Sequence, residues 1–142
     1  MEKLPPIEKI FEAWTAIADN RVVLSDSSAT VQSSDGTKTY VVHFHGDSYS
    51  SDDNATFWRG YPGYPVIAVL MLQRKLPLNP NDIHVWKHIN WTSLNKKYRN
   101  NYAAAVREIE EERDIDVAKY NEEAEKVMEV LQTLPLVIKR KI

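Results

Sequence analysis

The chain contains no cysteine, four glycines in 142 residues, and no apolar run longer than residues 66–72. Without cysteine there are no disulfides, thiolate metal sites or cysteine nucleophiles, which suits a reducing compartment and makes the cytoplasm the expected location. The glycines, Gly36, Gly46, Gly60 and Gly63, never fall into the patterns of phosphate-cradling loops, nucleophile elbows or dinucleotide fingerprints. The apolar run is too short to cross a bilayer, and residues 1–6 lack the apolar core of a signal peptide. A membrane protein is therefore not expected. Charge of one sign is also missing: a net charge of −2 gives no whole-protein attraction to nucleic acid or anionic lipid. The one basic and aromatic stretch, Lys96-Lys97-Tyr98-Arg99, is followed within two turns by acidic residues, so the sequence argues against a nucleic-acid partner.

What is present fits one α+β domain over residues 1–142, a length that buries a sizeable core. Ile7, Ile10, Phe11, Trp14, Ile17 and Ala18 recur at helical steps after Pro5-Pro6, so residues 1–20 are expected to contain one amphipathic helix ending near Asp19-Asn20. Residues 21–46 read as an antiparallel β-hairpin or small sheet, with a turn at Ser33-Ser34-Asp35-Gly36 and an irregularity near residues 25–28. In its second strand Tyr40, Val42 and Phe44 share one face while Val41, His43 and His45 share the other.

Residues 47–65 form an aromatic loop, and residues 66–134 are expected to be mostly helical. The run 66–72 is compatible with a buried helix or a central strand, and the helix is favoured. Asn79-Pro80 looks like the cap of a short helix through His88. Residues 94–134 hold no glycine or proline and keep a helical rhythm broken by Arg113. They are expected to form two helices joined around residues 113–116; one continuous helix would call for a homo-oligomer to cover its stripe. Residues 135–142 read as an edge strand or tail. The fold class follows: an N-terminal helix, an antiparallel sheet, and C-terminal helices packed on one sheet face.

Two constellations carry chemistry. All four histidines lie in close pairs, His43 with His45 and His84 with His88. Residues two apart on a strand, or four apart on a helix, share a face, so each pair is able to offer two nitrogens to one divalent transition metal, with Asp47, Asp52, Asp53 or Asp82 as oxygen donors. The pair 84–88 lacks the glutamate of a helical zinc-protease motif, and Lys87 would repel a cation. The second constellation is the aromatic loop, where Tyr49, Trp58, Tyr61 and Tyr64 offer rings for stacking and Arg59 an anion-binding fork. The glutamates of residues 108–112 lack the histidine of a dimetal helix site and read as a solvated face.

The sequence thus leads to a non-enzymatic cytoplasmic binding or assembly protein. It would take an unidentified small ligand or protein partner on its Tyr/Trp-rich loop, with no cofactor. A histidine-ligated metal-dependent hydrolase is the first alternative, in which metal activates water. A structural homo-oligomer through the C-terminal helices is the second.

Overall fold

The computed structural model describes residues 3–142. Its first helix, α1 (Glu8–Ala18), forms where the apolar spacing predicts it and ends at Asp19, after which Asn20 turns left-handed with φ 55°. Its surroundings are less expected. Ile10, Phe11, Ala13, Trp14 and Ala16 are buried, but so are Lys9, Glu12 and Thr15 on its polar positions. The helix is enclosed, with α2 (Tyr64–Leu72), α4 (Tyr102–Arg113) and α5 (Val117–Thr133) packed around it.

The sheet has five strands in the order β1 (Val22–Leu24), β2 (Ser28–Gln32), β3 (Thr39–His45), β4 (Ser48–Ser51) and β5 (Val137–Ile138). The first four form an antiparallel meander, and β5 adds in parallel to β4. The irregularity near residues 25–28 is a full chain reversal, with Ser25 N–H donating to the Ser28 carbonyl at 2.8 Å. A further reversal at Gly46-Asp47 turns the start of the aromatic loop into β4, so that His45 pairs Ser48 and Phe44 pairs Tyr49. A two-residue hairpin loop needs positive φ, and Gly46 supplies φ 56° without a Cβ penalty. The C-terminal segment is an edge strand, joined by Val137 N–H to the Asp47 carbonyl and Lys139 N–H to the Tyr49 carbonyl.

The run 66–72 is helical, within α2. Val66, Ile67, Ala68, Val69 and Leu70 are all fully buried because α1 covers one side of α2 and the sheet the other. A helix apolar on every face is a core helix, and each of its buried Val, Ile and Leu side chains contributes about 1.5–3 kcal/mol of burial.

Residues 79–88 differ from the helix that Asn79-Pro80 suggests. Only a 3₁₀ turn, Ile83–Trp86, forms; Lys87 is extended and His88 is left-handed with φ 55°. Trp86 is drawn into an aromatic cluster with Phe11 (4.6 Å between centroids), Trp14 (6.0 Å), Trp91 (6.5 Å) and Tyr120 (5.7 Å). Burying this indole prevails over continuing the helix.

The stretch 94–134 is broken twice. Helix α3 (Trp91–Lys97) ends in two consecutive left-handed residues, Arg99 and Asn100, and α4 ends at left-handed Asp114. Helices α3, α4 and α5 open on Asn90, Asn101 and Asp116, each accepting a backbone N–H from three residues ahead. Arg113, the interruption in the stripe, donates through Nη1 to the carbonyls of Val85 (2.7 Å) and Lys87 (2.6 Å), fastening α4 to the 3₁₀ segment. One hydrophobic core cluster runs through all of these elements.

Candidate functional site

Between the sheet, the aromatic loop and α3 lies a cleft of about 360 Å³. Its floor is α1, which presents Lys9 and Glu12 one turn apart. The Lys9 Nζ lies 3.1 Å from Glu12 Oε2, with the two side chains only 10% and 7% exposed. Lys9 also sits 3.9 Å from the centroid of the Tyr102 ring, a cation–π contact that holds the ammonium from above. Asn95 Nδ2 reaches the other Glu12 oxygen at 3.4 Å. Burial pushes the Glu12 carboxyl above its ordinary value, with Lys9 and Asn95 opposing that rise.

Tyr40 on β3, Arg21 just before β1 and Lys38 in the β2–β3 turn line the cleft from the sheet side. The Arg21 side chain is 10% exposed, and its Nε lies 3.6 Å from Asp19 Oδ2. Its Nη1 donates to the Gln32 carbonyl, whereas Nε and Nη2 are buried without a hydrogen-bond acceptor. Tyr64 is close enough for the Arg21 charge to act on it, yet burial dominates and raises its phenol strongly; Tyr40 and Tyr61 are raised for the same reason. These phenols remain protonated donors.

The loop forms the opposite wall. Asp53 is buried and accepts from the Thr56 N–H (3.1 Å) and hydroxyl (2.9 Å), while Thr56 Oγ1 accepts the Gly63 N–H at 3.0 Å. This network seats the loop on the N-terminus of α2, where a carboxylate is favoured by the helix dipole. Gly63 has no room for a side chain: a Cβ there would lie 2.2 Å from Asp53 Oδ2. Thr56 belongs to a π-helical turn, Ala55–Arg59, whose last residue, Arg59, lines the cleft. The third wall is α3, locked to the β2–β3 turn by Thr92 N–H donating to Ser34 Oγ at 3.1 Å; Asn95 and Lys96 line the cleft from it.

Of the loop residues singled out in the sequence, Arg59, Tyr61 and Tyr64 line this cleft. Tyr49 is fully buried, its hydroxyl donating to Gln73 Oε1 (2.6 Å) and accepting from Lys75 (2.8 Å). Trp58 is 66% exposed on the outer surface, edge-on to Phe57, with the Arg140 guanidinium 5.4 Å from its ring. All four histidines are exposed. His43 and His45 occupy the outer face of β3, as the alternation predicts, and His84 and His88 do not share a helix because none forms there. His88 instead donates its backbone N–H to Asp19 at 2.9 Å. Among the described residues no three His, Asp or Glu side chains are grouped to hold a metal.

Lys9, Glu12, Arg21, Tyr40, Asn95 and Tyr102 carry no sequence signal that marks them as lining one cleft. Lys9 and Glu12 look like the solvated face of an amphipathic helix until α2, α3 and α4 close around it.

Among the described residues no helix is long and apolar enough to cross a membrane. No curated protein and no solved structure matches the chain. A family model matches residues 2–137, and the chain belongs to that family, described as uncharacterised conserved protein UCP014422.

Proposed function

We propose that this is a cytoplasmic, non-enzymatic binding protein that takes a small polar ligand in the cleft between the sheet, the aromatic loop and α3. One observation carries the reading: a cleft of about 360 Å³, the size of a small-ligand site, is lined mostly by polar and charged side chains, among them a buried Arg21 whose Nε and Nη2 lack a hydrogen-bond acceptor. Arg59, Tyr61 and Tyr64 make contacts from the loop, while Asn95 supplies hydrogen bonds from α3.

The test is a small-molecule library screened by amide chemical-shift mapping. Compounds that bind are expected to move the amides of Tyr61, Asn95 and Lys96 together. A Tyr61→Ala/Asn95→Ala variant is expected to lose those shifts while keeping its melting transition. Hits confined to other surfaces, or shifts that survive in the double variant, count against the reading.

A further inference from the structure

We propose, building on the small-ligand reading of the cleft, that its ligand is a phosphate monoester whose phosphate sits on Arg21 between Lys38 and Lys96.

The seat begins with the guanidinium. Arginine carries five N–H donors in a rigid fork and cannot shed its charge. In Arg21 the Nη1 group has the Gln32 carbonyl, Asp19 forms an ion pair at 3.6 Å from Nε and the Tyr64 hydroxyl interacts with the guanidinium, yet the buried Nε and Nη2 lack an acceptor at full hydrogen-bond geometry. Burying a guanidinium so thinly partnered is costly, and an oxyanion in the cleft that Arg21 lines adds the negative charge that Asp19 and Tyr64 supply only in part. The neighbouring phenols of Tyr40 and Tyr64, kept protonated by burial, are further donors for phosphate oxygens.

The charge balance selects phosphate over a single carboxylate. Besides Lys9, the cleft is lined by Arg21, Lys38, Arg59 and Lys96. Among the described residues no carboxylate lies within ion-pair distance of Lys38, Arg59 or Lys96. The cleft's two carboxylates are engaged, Glu12 by Lys9 and Asp53 by Thr56. A cationic cleft in a chain of net charge −2 is a local field that draws a dianion. Lys38 and Lys96 lie on either side of the Ser34–Thr92 junction, one from the β2–β3 turn and one from α3. The remaining space, bordered by Tyr61, takes the ester group.

Four probes test this on the intact protein: phenyl phosphate, inorganic phosphate, benzoate and phenol, followed by phosphorus line broadening and amide shifts. Phenyl phosphate is expected to bind in the cleft, to be displaced by inorganic phosphate, and to exceed benzoate by about tenfold. Lys38→Ala/Lys96→Ala, both at exposed positions, is expected to weaken it by about tenfold and to flatten its salt dependence. Arg21→Gln is expected to abolish it; should that variant unfold, the lysine pair carries the test. Benzoate or phenol binding in the cleft as tightly as phenyl phosphate overturns the phosphate assignment and leaves the small-ligand reading standing. No phenyl phosphate binding at millimolar concentration, or binding unaffected by loss of both lysines, overturns it as well. Library compounds that shift no cleft amide overturn the small-ligand reading itself.

Discussion

Lys9 and Glu12, three residues apart on α1, form a largely buried ion pair at 3.1 Å on the floor of the cleft between the sheet, the aromatic loop and α3. Neither charge is free to find another partner. Removing one member of a buried pair strands the other, at a cost of about 3–5 kcal/mol, whereas replacing both by apolar groups of similar volume is close to neutral. Lys9→Met is therefore expected to destabilise by about 3 kcal/mol in denaturant titration. Lys9→Met/Glu12→Leu is expected to recover most of that loss, and equal destabilisation of the single and double variants would contradict the isolation of the pair.

The same pair sets a pH dependence. Burial raises the Glu12 carboxyl above its unfolded value, so between the two values the folded state holds the proton more tightly than the unfolded chain. Its contribution to stability is then complete below the ordinary glutamate value of about 4.3 and is lost as pH rises through the folded value. Urea titrations in a pH series are expected to show stability falling over that rise in the wild type relative to Lys9→Met/Glu12→Leu. A difference that grows in the opposite direction would mean that Lys9 holds Glu12 below its ordinary range.

The elements that were legible in the sequence are those governed by local periodicity. The helix α1, the inward Tyr40, Val42 and Phe44, and the outward His43 and His45 follow directly from spacing. The cleft was only half legible. Arg59, Tyr61 and Tyr64 stood out by composition, whereas Arg21, Asn95 and Tyr102 meet them only through contacts distant in sequence. The breaks in residues 94–134 were half hidden for a different reason: the chain ends its helices with left-handed Arg99, Asn100 and Asp114 instead of glycine. Asn and Asp tolerate that conformation, so their presence in a helical rhythm gives a weaker signal than glycine would.

Asp114 offers a stabilising substitution on that account. It holds φ 53° and ψ 52° at the C-cap of α4, where a non-glycine residue is strained and a negative charge opposes the helix dipole. Asp114→Gly removes both penalties and loses some unfolded-state restriction. The net gain is expected to be about 0.5–1 kcal/mol, read as a raised melting temperature. A lowered one would show that the aspartate side chain makes a contact worth more than the strain.

Thr15 joins α1 to two other segments through one hydroxyl, which donates to the Trp86 carbonyl at 2.6 Å and accepts the Trp91 indole N–H at 2.9 Å. Thr15→Val keeps the shape and strands both partners in the core, so a loss of about 1–3 kcal/mol is expected. Thr15→Ser, which keeps the hydroxyl, is expected to cost less. If the two variants melt together, the methyl group contributes as much as the hydroxyl.

Gly63 is fixed by proximity rather than by backbone angle. Its φ of −74° suits any residue, yet a Cβ would lie 2.2 Å from Asp53 Oδ2 and 3.2 Å from the Ala55 Cβ. Gly63→Ala must therefore push the Asp53 carboxylate away from α2 and break the Thr56 network that seats the aromatic loop. Such overpacking is expected to cost about 1–3 kcal/mol. Because the same shift moves the loop, the amides of Tyr61 and Tyr64 are expected to change position in the variant while those of β1 and β2 stay in place. A Gly63→Ala variant with wild-type stability and an unmoved loop would mean that Asp53 rotates aside at no cost, and that the carboxylate is not what holds this wall of the cleft.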